Sequence, residues 1–289
     1  MTIPHKKLKN GFALPCLGLG TWRMGGDRKR DPRSDDQKYI NAIQNAIKKG
    51  ITHIDTAEMY AEGHAEELVG TAIKDFDRRK LFITSKVWHS NLHYENVLKS
   101  CENSLKRLGT DYLDLYLIHM PNQQIPLEET IKAMDRLKKE KLIKYIGLSD
   151  FSKSTFQKAQ SFSSNKIVCD QVHYNLIYRE PEASGLLEYC QKNDVMLVAW
   201  RPVEKGLLSV SPPDVMRQVM EKYGKSASQI ALNWLFSQKN VAVICKMTDS
   251  SHLEENLGSL GWSLEDRDIE DLRLNFPGQK EVSGAVPLR

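Results

Sequence analysis

Four side chains in this sequence have the types and spacing to move a proton on or off a substrate oxygen: Asp55, Tyr60, Lys86 and His119. Three of them end short apolar runs. Ile51 to Ile54 leads into Asp55, LFITSK ends in Lys86, and YLDLYLIH ends in His119. Each run is rich in β-branched or aromatic residues and is followed by a helix-like segment, the pattern of a buried parallel strand in a β/α unit. Parallel neighbours lie roughly 4.8 Å apart. Side by side, the three strands would bring an acid, a lysine and a histidine to one rim, with Tyr60 at the end of the next short loop.

A phenol has a pKa of about 10 and gives up its proton poorly at neutral pH. A nearby ammonium stabilises the phenolate, by about 1.4 kcal/mol for each unit of lowering. The reading is therefore that Lys86 acidifies Tyr60, that Asp55 keeps Lys86 charged, and that His119 donates to or orients an oxygen beside the phenol. Such a set suits polarising a carbonyl and delivering a proton to its oxygen as charge develops there. Taken singly, Asp55 and Lys86 read as a structural ion pair, His119 as a core histidine and Tyr60 as a rim aromatic. Their joint placement on consecutive strands is what points to chemistry. His89 and His93 lie four apart in a loop with no glutamate between them, so no metal site is expected.

The elements that must position this set alternate along the whole chain. KLK, Asn10-Gly11 and FALP read as a hairpin with a type I′ turn, followed by CLGLGTW as a first strand. Strands are expected at 51–55, 81–86, 113–118, 143–148, 167–171, 195–200 and 241–245. Helices are expected at 36–49, 64–76, 94–107, 127–139, 152–161, 182–192, 214–238 with a break at Tyr223-Gly224, 251–260 and 263–274, before an extended tail. Eight β/α units close a parallel barrel, so the fold class is α/β, a (β/α)8 TIM barrel forming one domain over residues 1–289 with the hairpin closing its bottom. A doubly wound sheet is the alternative, but Gly18-Leu19-Gly20 is followed at the third position by Arg23, so the GxGxxG turn is missing. Barrel chemistry sits at the C-terminal strand ends, where Asp55, Lys86 and His119 fall.

The 41 basic and 37 acidic residues are interspersed and leave a net charge of +4, which argues against a nucleic-acid partner. The densest basic stretch, DRKRDPR from Asp27 to Arg33, reads as a solvated loop, with recognition of a phosphate-bearing ligand as the alternative. No stretch approaches the ~18 apolar residues of a membrane span, and the start of the chain lacks the apolar core of a signal peptide. A cytoplasmic monomer is the expectation. Cys16, Cys101, Cys169, Cys190 and Cys245 read as buried free thiols.

Read together, LGLGTW at 17–22, HIDTAEMY at 53–60, ITSKVW at 83–88, RLGTDYLDLYLIH at 107–119, IGLSDF at 146–151, QVHYN at 171–175 and KMTDSSHLEEN at 246–256 resemble the aldo-keto reductases over nearly the whole chain. The resemblance implies hydride transfer from a reduced nicotinamide to an aldehyde or ketone. It implies Tyr60 as general acid, Lys86 and Asp55 as tuners of its pKa, and His119 as the residue orienting the carbonyl. It implies NADPH as cofactor, with NADH as a second option. By the same resemblance Trp200 stacks on the nicotinamide, Ser149, Asp150 and Gln171 hold its carboxamide, and Thr21 and Trp22 border that end of the cleft. Asp150 stands where the family has asparagine, and a carboxylate cannot donate to the amide oxygen. RPVEKGLL, with Arg201, Pro202, Val203, Gly206 and Leu208, looks like the loop over the pyrophosphate. Lys246, Met247, His252, Glu255 and Asn256 match the adenosine end. Met247 and His252 depart from the family there, which weakens the expected grip on a 2′-phosphate.

Trp22, Trp88 and His119 would line an aromatic substrate pocket for small or aromatic aldehydes. The short loop MPNQQIP and a tail from Asn275 to Arg289 that is a modest lid at most imply an open pocket of broad specificity. A nicotinamide-sensing regulatory subunit of a partner protein is the competing function, and alcohol oxidation is the reverse of the same chemistry.

Overall fold

The computed structural model describes residues 2–289. Ten strands follow in chain order: β1 His5–Lys7, β2 Ala13–Pro15, β3 Leu17–Gly20, β4 His53–Asp55, β5 Phe82–Val87, β6 Leu113–Ile118, β7 Ile143–Ser149, β8 Ile167–His173, β9 Met196–Trp200 and β10 Val241–Cys245. β1 and β2 pair antiparallel, while β3 to β10 form a closed parallel barrel in which β10 pairs with both β9 and β3. Outside it run α1 Asp36–Lys48, α2 His64–Ile73, α3 Tyr94–Leu108, α4 Leu127–Lys139, α5 Lys153–Phe162, α6 Glu180–Ala183, α7 Leu186–Lys192, α8 Leu207–Val210, α9 Asp214–Tyr223, α10 Ala227–Ser237, α11 Ser250–Leu257 and α12 Asp266–Asn275. The expected break in the long helix falls at Gly224, which ends α9 at φ +61°, and Ser226 with Gln229 forms a capping box that starts α10. All five cysteines are buried and free.

The period-two alternation of the strands sorts the core into two clusters. Leu17, Leu19, Ile54, Ile83, Leu197 and Val243 face outward and pack with the helices. Leu115, Leu117, Val198, Ala242 and Ile244 face inward and form a separate cluster with Leu8, Phe12 and Leu14 of the hairpin. Parallel strands covered on both faces are continuously apolar for this reason. Inside the barrel, a Cβ at Gly18 would lie 2.4 Å from the His53 ring, so glycine there is what lets His53 fit and meet Thr84 Oγ1 at 3.1 Å.

The hairpin plugs the N-terminal mouth, but its turn differs from the one expected. Leu8 N–H donates to the Phe12 carbonyl, Gly11 N–H donates to that of Leu8, and only Gly11 takes a positive φ, +89°. This is a three-residue loop with a glycine bulge rather than a two-residue type I′ turn, which would need a positive φ at Asn10 as well. The extra residue turns Phe12 inward, where its ring meets Tyr145 at 4.9 Å and Phe82 at 6.0 Å between centroids. Asp194 clasps the tip, its carboxylate accepting from Lys9 N–H (2.7 Å) and Asn10 N–H (2.8 Å).

The tail is also more firmly held than a modest lid. Glu180 accepts N–H groups from Ser283 (2.8 Å) and Leu288 (3.1 Å), Lys280 bridges Tyr178, and Arg289 exchanges backbone bonds with Asp150 (3.1 Å) and Ser152 (2.6 Å). Hydrogen bonds to the backbone fasten it, and these leave no apolar period in the sequence.

Phe12→Ala should cost about 3 to 5 kcal/mol, because a fully buried ring is removed from a plug that cannot collapse around the gap. The denaturant midpoint measures this, and a shift near zero would show that the hairpin does not seal the core.

Candidate active site

Asp55 ends β4, Lys86 lies one residue inside the end of β5, and His119 follows β6 directly. Both Asp55 and Lys86 are turned into the barrel by the alternation that turns Phe82 and Leu117 inward. Lys86 Nζ donates to Asp55 Oδ1 at 2.5 Å, to the Thr56 carbonyl at 2.9 Å and to the Tyr60 hydroxyl at 3.2 Å. The expected convergence is present. Tyr60 is 8% exposed, with its ring 4.9 Å from Trp22 and 5.6 Å from His119. Trp88 meets the His119 ring at 5.0 Å, so the four rings wall one side of the mouth.

The electrostatics correct one expectation. Burial pushes the Tyr60 phenol above its ordinary value and outweighs the pull of Lys86, so the phenol is not acidified in the resting site. Lys86 loses hydration too, yet Asp55 and Tyr60 more than compensate and hold its pKa above the usual lysine value. Burial, reinforced by Lys86 and His89, keeps His119 well below the ordinary histidine value and hence neutral at pH 7. Its Nδ1 is buried with no partner among the described residues. The arrangement therefore holds a protonated phenol, a charged lysine and a neutral imidazole around one opening.

A second arc of polar groups runs along the rim from β7 to β10. Ser149 and Gln171 are neighbours in register, and the carboxyl of Asp150 accepts from Trp200 Nε1 at 3.1 Å with Ser149 Oγ at 3.5 Å. Burial raises the Asp150 pKa to about 8, reinforced by Glu180, against the opposing effects of Trp200, Ser149 and Lys86. The side chain is thus largely a neutral acid at pH 7, with an O–H to donate, unlike the carboxylate expected there. Gln171 spends its amide N–H on Asp55 Oδ2 at 2.7 Å, joining the two arcs across the barrel. Thr21 is fully buried, its hydroxyl and amide both bound to the Asp55 carbonyl, so its side chain is structural.

The loop after β9 is bent by positive φ values at Arg201, Glu204, Lys205 and Gly206, with Pro202 and Leu208 buried and Val203 packed partly against the core. At the far end Lys246 is exposed, its pKa lowered by partial burial and by Arg23 and Lys38, so three cations share that corner. Met247 is 1% exposed and belongs to the core, which withdraws its side chain from any ligand. His252 is exposed but held by Asp249 at 2.7 Å, Glu255 accepts from the Ser226 hydroxyl, and Asn256 is buried beside them.

Sequence reasoning missed His173. It stacks on Trp200 (4.4 Å, 9° between planes) and bridges Ser283 Oγ (2.7 Å) of the tail to Glu204 (2.8 Å) of the loop after β9. Gln171, His173 and Asn175 alternate with Val172 and Tyr174, a period-two polar face that was there to be read.

Residues 16–274 match the model of the aldo/keto reductase family. A methylglyoxal reductase, YeaE, of Escherichia coli (strain K12) is 34% identical over 275 residues, covering 93% of each chain. Among solved structures, the thermostable aldo-keto reductase Tm1743 in complex with the inhibitor epalrestat superposes with a TM-score of 0.90 at 47% identity, covering 93% of this chain and 98% of that one. An aldo-keto reductase from Klebsiella pneumoniae in complex with NADPH superposes with a TM-score of 0.85 at 32% identity, covering 98% of both.

Asp150 also gives a pH signature. Its pKa is near 8 folded and about 4 unfolded, so between these values the unfolded chain has released a proton that the folded chain keeps, and stability falls as pH rises. Asp150→Asn should flatten this slope, worth up to about 1.4 kcal/mol per pH unit. Melting temperatures of both proteins from pH 4 to 8 decide it; parallel curves would mean that Asp150 is ionised throughout.

Proposed function

Because the chain belongs to the aldo/keto reductase family, we propose that it reduces the carbonyl of a small aldehyde or ketone with Tyr60 as the proton donor. It is an NAD(P)H-dependent oxidoreductase, and NADPH, when bound, supplies the hydride. The observation that carries the reading is the Tyr60 hydroxyl 3.2 Å from an ammonium that is itself 2.5 Å from Asp55. A phenol kept protonated by burial is a competent donor before reaction. As its proton passes to the substrate oxygen, the phenolate forms beside Lys86, which Asp55 keeps charged, and the cost of separating that charge falls. Neutral His119 has an N–H to give to the carbonyl oxygen without competing as an acid. Trp22 and Trp88 keep water from the reacting atoms and line the pocket with His119.

The rim residues fit the cofactor. Lys246, with Arg23 and Lys38 nearby, offers cations for phosphate groups at one end. Trp200, partly exposed and backed by His173, offers a flat ring at the other. A protonated Asp150 has both a donor and an acceptor for the carboxamide, as an asparagine would, and Ser149 adds a hydroxyl. Arg201, Pro202, Val203, Gly206 and Leu208 form the strap between, and Glu255 and Asn256 flank the adenosine end. His252 is weakened as a phosphate ligand because Asp249 already holds it.

Tyr60→Phe should lower kcat by about 10²- to 10⁴-fold while leaving NADPH affinity unchanged, since only the proton donor is lost. Steady-state turnover of an aldehyde with a fluorescence titration of cofactor tests both halves, and full activity would refute the role. His252→Arg should favour NADPH over NADH by about 1 to 3 kcal/mol more than the native chain does. An unchanged ratio of dissociation constants would mean that the 2′-phosphate lies elsewhere.

A further inference from the structure

The basic stretch from Asp27 to Arg33 is the exposed loop expected, but its backbone is tied to the loop that carries the tyrosine. Directly after Tyr60, Ala61 and Glu62 both take left-handed conformations, φ +50° and +58°, and their N–H groups donate to the carbonyls of Asp27 (2.8 Å) and Arg28 (3.0 Å). The basic loop and the loop that carries the tyrosine are thus one hydrogen-bonded unit. Its acids are engaged. Asp27 pairs with Arg23 at 3.1 Å, Asp31 with Arg33 at 3.3 Å and Asp36 with Arg30 at 3.8 Å, while the Glu62 carboxylate takes the Arg30 N–H. Arg28 is left without a carboxylate partner among the described residues, its guanidinium 5.9 Å from the centroid of the Trp88 ring, the same ring that meets His119.

Arg289, its backbone fixed to Asp150 and Ser152, brings a second cation near His89, whose ring meets Trp88 at 4.4 Å. Its charge and that of Arg28 add to burial in holding the His89 imidazole below its ordinary value. Glu58, the acid on this wall, is occupied by the Trp88 N–H at 2.6 Å and the Asn91 amide at 3.0 Å. Arg28 therefore borders an aromatic wall that leads to the reacting atoms, with Arg289 near His89 and neither guanidinium paired to a side-chain carboxylate among the described residues, and a guanidinium over an indole keeps its planar fork of N–H donors free for an oxyanion.

We propose that Arg28, assisted by Arg289, binds an oxyanion at the far end of the substrate, so that the preferred substrates are carbonyl compounds bearing a carboxylate or a phosphate a few bonds from the reacting carbon. The proposal rests on the reductase reading and names its substrate class. The His119 and Trp88 rings link the Tyr60 ring to the Arg28 guanidinium contact by contact, so the oxyanion and the reacting carbonyl occupy separate ends of the substrate.

The test uses the full chain with NADPH and two matched pairs, 4-oxobutanoate against butanal and glyceraldehyde 3-phosphate against glyceraldehyde. In at least one pair the charged member should have a kcat/KM about tenfold or more above its neutral partner, expressed in KM, and the responding pair identifies carboxylate or phosphate. Arg28→Gln should remove most of that ratio, Arg28→Lys should restore part of it, and salt at about 0.5 M should depress it in the native protein. The salt series decides the matter if the glutamine variant does not fold. Equal use of both members, with turnover of the neutral ones intact, overturns the proposal and leaves the reductase reading standing. No turnover of any member counts against the reductase reading itself and removes the proposal with it.

Discussion

The ion pair between Asp55 and Lys86 is the constraint around which the mouth of the barrel is built. Both side chains are at most 1% exposed, and burying two charges costs several kcal/mol per ion unless every donor and acceptor is matched. Here the matching is complete on the lysine: its three protons go to Asp55, Thr56 and Tyr60. Asp55 uses its second oxygen for Gln171, a strand from the opposite wall. A network this fully satisfied has one low-energy geometry, which is how a tyrosine on a loop acquires the fixed position of a residue on a strand.

The two ends of the barrel divide the work. At the N-terminal end Phe12 and its aromatic neighbours fill the lumen with apolar rings. At the other end the backbone is bent. Of the ten non-glycine residues with positive φ among those described, Arg23, Ala61, Glu62, Asp150, Arg201, Glu204 and Lys205 lie in loops that leave the C-terminal strand ends. Such conformations cost of order 1 kcal/mol or more each and persist only where the surroundings hold them. The bonds from the N–H groups of Ala61 and Glu62 to the Asp27 and Arg28 carbonyls, and from Asn175 to the Arg201 carbonyl, are that hold.

Much of this was legible in the sequence, for identifiable reasons. Strands buried on both faces must be apolar along their length, so a polar residue at the end of each run stood out, and Asp55, Lys86 and His119 were found that way. The direction of the Tyr60 shift was not legible, because it depends on how far burial outweighs a nearby charge, and depth of burial is a tertiary property. The proton on Asp150 escaped for the same reason, since the sequence shows only an acid. The hairpin turn was misread because Asn-Gly serves both the two-residue turn and the three-residue loop with its bulge. Leu288 and Arg289 gave no signal, because the bonds that fasten them are made by their main chain, which carries no side-chain code.

The clasp between Asp194 and the hairpin tip joins positions 185 and 184 residues apart, and β3 closes the ring only by pairing with β10. The hairpin and β3, made before the rest of the barrel, are thus among the last of its elements to find their partners. Until the seventh and eighth barrel strands have been synthesised, the Phe12 plug has nothing to seat against but an open sheet. Assembly from such distant contacts is intrinsically slow, and the exposed edges of the unfinished ring are what a chaperone would meet.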